Sequence, residues 1–170
     1  MIGRMDRRAD AFEAFYLEAW GDAVRWARAL TGSRAAAEDV AQAAFSAVAD
    51  RFDRLANPAG YLRRTIVNIA RSEHRATERR HRRESRVGAD RSLEQGADVA
   101  FDGVFGGGSD LLRRVGRLPY DQRAALVLRY WADWDEPTIA DALGCRPATV
   151  RSHVKRALDT LRDDPPGSLR

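Results

Sequence analysis

One cysteine and one lysine stand among 170 residues. The single thiol, Cys145, excludes an internal disulfide and any cysteine-cluster zinc site. It follows Gly144 in a predicted turn, where a small half-buried side chain fills space, so a packing role is the simplest reading. No apolar run approaches the roughly 20 residues a membrane helix needs, and the N-terminus has no signal-peptide core. A soluble, cytoplasmic protein without membrane insertion is expected. No stretch alternates with period two, which argues against a sheet. Gly106-Gly107-Gly108 lacks the flanking strand and the Gly-Lys-Ser/Thr of a phosphate loop. His74, His81 and His153 form no metal spacing with a cysteine or acid, and no nucleophile stands beside a base. The chain is therefore expected to be no enzyme and to take no cofactor, metal or small-molecule substrate.

What the sequence has instead is arginine. Lys155 is the only lysine among 29 basic residues, the net charge is +4 and the pI is about 9.8. Guanidinium groups suit bidentate contacts to phosphate and guanine. The bias itself fits a GC-rich genome, given the many Ala, Gly and Asp residues, so only the placement of the arginines carries weight.

Helical periodicity dominates, and the fold class expected is all-α. Phe12, Phe15, Tyr16, Ala19, Trp20, Ala23, Trp26, Ala27 and Leu30 fall on one broad stripe of a first helix. Thr31-Gly32 ends it and Ser33 can cap a second, running to about Arg51 with Ala37, Val40, Ala41, Ala44, Phe45 and Val48 inward. After a connection at 52–56, Asn57-Pro58 begins a third, with Asn as cap and Pro at its first position. Its apolar side is Tyr61, Leu62, Thr65, Ile66, Ile69 and Ala70. From about Thr77 to Asp110 the pattern fails: a basic run (Arg79, Arg80, Arg82, Arg83, Arg86) gives way to scattered acids. This reads as a linker, with helix able to continue into its basic start. Helical spacing resumes at Leu111, and a helix of about Asp121 to Trp131 follows Pro119. The expected architecture is two small helical domains (10–76 and 111–163) joined by a flexible linker (77–110), with a tail at 164–170.

Trp134 to Leu161 reads as a helix-turn-helix. Ala140 is small enough for a second helix to approach, Gly144 allows a left-handed turn, and Val150 plugs the second helix onto the first. That helix presents Arg151, Ser152, His153, Lys155 and Arg156 outward, a surface suited to a DNA major groove; Arg146 and Thr149 at its start join the candidate set. A helical hairpin that merely packs has similar spacing, but its exposed face more often mixes charges of both signs. On the third helix Arg64, Asn68, Arg71 and Arg75 form a stripe opposite the apolar one. The arginines can track phosphates, the amide can bond the edge of an unpaired base, and Tyr61 can offer a stacking surface. A solvated basic face has the same pattern. On the second helix Glu38, Asp39 and Gln42 share a polar side that suits either a docking partner or the helix dipole.

The order of these segments resembles a bacterial RNA polymerase sigma factor of the extracytoplasmic-function class. AAEDVAQAAF is similar to that family's stretch for docking on the polymerase clamp, and YLRRTIVNIARSEHRATERR to its −10 melting and reading stretch. LPYDQRAALVLRYWADWDEPTIADALGCRPATVRSHVKRALDTLR is similar to its −35-reading domain. The match covers about residues 10 to 162. The resemblance implies core docking through Asp39 and Gln42, and Glu38 on the same polar side joins them as a candidate. It implies −10 reading through Arg64 and Asn68, with Asn68 handling a flipped-out base, and −35 reading through Arg151, Ser152, Lys155 and Arg156. RNA polymerase core, promoter DNA and an anti-sigma factor are the partners it implies.

Four positions depart from the family pattern. Ala43 stands for an acid, Tyr61 for Trp and Thr138 for Glu. Arg146 replaces a Ser cap, at a cost of about 1 kcal/mol in helix initiation that Pro147 partly offsets. A linker of about 34 residues spans roughly 32 Å as a coil and lets two weak readers engage one DNA. Two rivals predict different behaviour. A stand-alone regulator similar to the LuxR type binds as a dimer without polymerase, and an interaction adaptor shows no salt-sensitive DNA affinity.

Overall fold

A computed structural model of the chain describes residues 2–86 and 110–163, all of whose regular elements are helices. The tail at 164–170 and the part of the expected linker at 87–109 lie outside the described residues. In the first half, α1 (Ile2–Thr31), α2 (Arg34–Ala49) and α3 (Pro58–Arg86) pack against one another. The second half holds α4 (Asp110–Arg117), α5 (Tyr120–Tyr130), α6 (Glu136–Leu143) and α7 (Pro147–Asp163).

The ends of these helices follow local chemistry. Gly32 takes φ 75° after α1. Ser33 then caps α2, its side chain accepting from the Ala36 amide at 3.4 Å. Asn57 caps α3 by accepting from the Gly60 amide at 2.8 Å. A single 3-10 turn, Phe52–Arg54, occupies the connection between them. α3 continues through Arg86, into the stretch expected to be linker. Arginine and glutamate are good helix formers, and no glycine or proline interrupts residues 61–86.

Apolar periodicity buries the faces it marks. Val40, Ala41, Ala44 and Val48 of α2 are essentially inaccessible. Phe45 meets Phe15, Tyr16 and Trp20 of α1 with ring centroids 4.8–5.9 Å apart, geometry in which ring edges and faces attract. In the second half Asp135 caps α6 by accepting from the Thr138 amide at 2.9 Å, and that bond holds its carboxyl below its ordinary pKa. Gly144 follows at φ 57°. Ile139, Ala140 and Val150 are buried where α6 crosses α7.

The two halves are not separate bodies. One continuous core runs from Trp26, Leu30, Ile66 and Val67 of the first half to Ala124, Leu128, Ile139 and Val150 of the second. α5 explains this: Arg123 through Leu128 are all buried, so the helix is covered all round and needs neighbours on every side. α1 supplies one of those sides, and α3 packs against α6.

Gly144→Ala is expected to cost roughly 1–2 kcal/mol, because an L-residue is strained in the left-handed turn. The added methyl also overlaps the Arg71 guanidinium. Thermal unfolding followed by circular dichroism checks this; an unchanged midpoint would contradict the turn geometry.

Candidate nucleic-acid interface

Two surfaces proposed from sequence lie open to solvent. On α7, Arg151, Ser152, Lys155 and Arg156 are exposed, as is Arg146 just before it. Thr149 and His153 are half-buried, which leaves the outer face mainly to the longer cationic side chains. The Arg146 carbonyl accepts from the amides of Thr149 and Val150 at 2.8 and 3.2 Å and so opens the ladder of α7. Arg151 pairs with Glu136 of α6 at 2.6 Å and Lys155 with Asp159 at 3.0 Å. Exposed pairs of this kind contribute about 0–1 kcal/mol, so an incoming phosphate or base edge can displace them. Ser152 donates to the Ala148 carbonyl at 3.0 Å and stays near its own helix.

On α2, Glu38, Asp39 and Gln42 are exposed on one side, with Arg34 donating to Glu38 at 3.0 Å. Asp39 and Gln42 project away from the core that Val40, Ala44 and Phe45 enter. Ala43 is exposed beside them.

The α3 stripe is divided. Arg64, Asn68 and Arg75 are exposed, but Arg71 is half-buried and donates to the Ala142 carbonyl at 3.1 Å. Ala142 lies in the last turn of α6, where carbonyls lack helical partners. Arg71 therefore satisfies the end of the first helix of the helix-turn-helix and lies against Gly144 of its turn. Tyr61 is also engaged: its hydroxyl accepts from Arg51 at 2.7 Å, and that guanidinium sits 6.0 Å from the ring centroid.

The contacts that join the halves were not legible in the sequence. Arg123 is 8% exposed, a buried cation held by carbonyls. It donates to Leu30 at 2.8 and 3.2 Å, to Gly116 at 2.8 Å and to Leu118 at 3.3 Å. Burial pulls its pKa down, and the neighbouring Tyr120 opposes that shift. Trp26 stacks on Trp131 at 4.9 Å and 15°, and His74 on Tyr120 at 4.3 Å and 16°. The available signal was Arg123 inside the apolar run of α5, where a charge must find internal partners.

His74 makes this contact sensitive to pH. Burial lowers its pKa from 6.5, reinforced by Arg123 and Arg75 and opposed by Glu78 and Asp121. A base whose pKa is depressed by docking stabilises the docked state fully above its undocked value. The contact therefore weakens as pH falls below 6.5. Tryptophan fluorescence, reporting the Trp26–Trp131 stack, is expected to shift on titration through that range, and His74→Ala to flatten the response.

Among the described residues no helix is long and apolar enough to cross a membrane. Comparison with known proteins places these surfaces in a family setting. Residues 5–80 match the family model described as Sigma-70 region 2, and residues 109–161 that described as Sigma-70, region 4. The chain is 31% identical over 147 residues to the RNA polymerase sigma-E factor of Streptomyces avermitilis, covering 83% of this chain and 77% of that protein. It is 32% identical over 146 residues to the probable RNA polymerase sigma factor RfaY of Xanthomonas campestris, covering 81% of this chain and 36% of that protein. It thus spans about a third of one relative and three quarters of the other. Among solved structures it resembles the sigma factor RpoE in complex with the anti-sigma factor NepR from Bartonella quintana. The TM-score is 0.64 at 25% identity, over 89% of this chain and 96% of that one.

Proposed function

The chain belongs to the sigma-70 family of RNA polymerase sigma factors, and on that premise we propose that it binds core polymerase and directs it to promoters. The observation that carries this reading is the order of parts. A region 2 match on α1–α3 precedes a region 4 match on the helix-turn-helix, and each half offers exposed side chains of the required chemistry. Family members of this kind are in general not enzymes; the polymerase supplies the chemistry of synthesis.

In this mechanism Glu38, Asp39 and Gln42 on α2 meet the polymerase clamp. Arg146, Thr149, Arg151, Ser152, His153, Lys155 and Arg156 form the −35 surface. Its arginines supply bidentate contacts to guanine or phosphate, while Thr149 and His153 support the helix from its half-buried side. Arg64, Asn68, Arg71 and Arg75, with Tyr61 at the head of α3, serve the −10 element. Asn68 bonds an unpaired base in this reading, which its exposure in mid-helix supports. The domains run from about 10 to 76 and from 111 to 163, with the intervening chain as tether. The solved relative is held by an anti-sigma factor, and an inhibitor of that kind is proposed here also.

Run-off transcription with purified core polymerase tests the function: the chain is expected to add sequence-selective initiation, and no stimulation on any genomic promoter library would refute it. Arg151→Ala with Arg156→Ala is expected to lose roughly 1–3 kcal/mol of discrimination per base contact removed, abolishing −35-dependent output while core binding persists. Asn68→Ala is expected to impair transcription from duplex templates more than from templates pre-melted at −10. Equal activity of variant and parent on both templates would remove Asn68 from strand opening.

A further inference from the structure

Arg51 and Tyr61 come from different elements and meet at one atom. The Tyr61 hydroxyl accepts from the Arg51 guanidinium at 2.7 Å. The guanidinium carbon is 6.0 Å from the ring centroid. A nitrogen at bonding distance from the hydroxyl and a carbon that far from the centroid put the cation beyond the hydroxyl end of the ring, not over a face. Arg51 thus restrains the ring without covering it. Both partners stand on fixed backbone. Tyr61 lies in the first turn of α3, where its amide donates to the Asn57 carbonyl at 3.1 Å and Asn57 accepts from the Gly60 amide at 2.8 Å. Arg51 lies between α2 and the Phe52–Arg54 turn. Its amide donates to the Val48 carbonyl at 3.0 Å, and its own carbonyl accepts from the Arg54 amide at 2.8 Å.

We propose that Arg51 is a positioning residue, which acts through the Tyr61 hydroxyl to hold that ring as the stacking surface for an unpaired base. This rests on the reading of α3 as the −10 helix. Tyr61 is half-buried and packs against the core, while Arg51 is exposed. A partner at the hydroxyl removes the ring's remaining rotation before a base arrives, so the ordering that stacking requires is already done in the unbound chain. The tyrosine is essential to this device. An indole has a donor N–H and no acceptor, so a tryptophan at position 61 could take no bond from Arg51.

The test uses the full chain with core polymerase and a promoter recovered by run-off transcription, pre-melted at −10. The fluorescent base 2-aminopurine is placed in turn at each unpaired position, where stacking quenches it; titration gives the affinity. Tyr61→Ala is expected to lose the quench at one position and about tenfold in affinity. Arg51→Met is expected to lose part of that quench and about threefold in affinity, and Arg51→Lys, which still donates, to restore most of both. The double-mutant cycle decides. In a Tyr61→Phe or Tyr61→Trp background, Arg51→Met is expected to cause no further loss. A full Arg51→Met loss in the Tyr61→Phe background means that Arg51 meets the DNA itself, and overturns the proposal. Parent-level quench and affinity in Arg51→Met overturn it too. If Arg51→Met loses its helical circular dichroism, Tyr61→Phe decides alone, since it removes only the hydroxyl: parent-level quench and affinity there overturn the proposal. The readings beneath it fail differently. A parent chain that drives no initiation refutes the sigma reading and the proposal with it. An active chain in which Tyr61→Ala changes nothing refutes Tyr61 as a stacking surface. An active chain impaired by Tyr61→Ala but not by Arg51→Met refutes the role of Arg51 alone.

Discussion

Two arginines exchanged between helix ends hold this molecule in one piece. Arg123 of α5 reaches the last turn of α1, and Arg71 of α3 reaches the last turn of α6. Carbonyls at the end of a helix carry the negative pole of its dipole and lack partners within it. A guanidinium satisfies several at once with fixed geometry. Arg123 does so almost without solvent, gathering the ends of α1 and α4 around one cation. Removing it would strand carbonyls from both halves in a nonpolar setting. Gly32 fits the same constraint, because its backbone turns at positive φ beside the Arg123 guanidinium.

The helices themselves were legible because each carries its own punctuation. Ser33, Asn57 and Asp135 are capping residues whose bonds reach only three residues ahead, and Gly144 closes its helix locally. The spacing of Val40, Ala44 and Phe45 specified which side of α2 goes inward, and burial follows it. The end of α3 was harder to place. Its arginines have helix propensity but no apolar stripe, and periodicity alone detects only helices with something to bury.

The exposed faces that carry the candidate residues were legible for a related reason. Arg64, Asn68, Arg151 and Arg156 lie where helical geometry puts them, opposite buried positions. Docking was not legible, because it depends on pairs far apart in sequence. Nothing local to Arg71 distinguishes it from Arg64 or Arg75 on the same stripe; its difference lies in Ala142 and Gly144. Likewise Tyr61 as an aromatic position says nothing of Arg51, which takes up its hydroxyl. Local rules predict which face is polar, and tertiary contacts decide which polar group is spent inside the molecule.

The arginine–carbonyl contacts have a consequence for ionic conditions. Their acceptors are neutral, and for Arg123 the contact lies beneath the surface, where mobile ions have little to screen. Contacts to phosphate behave oppositely, because each one formed releases condensed counterions and so weakens steeply as salt rises. Rising ionic strength therefore acts strongly on any contact of this chain to phosphate and little on the Arg123 contact that joins its halves.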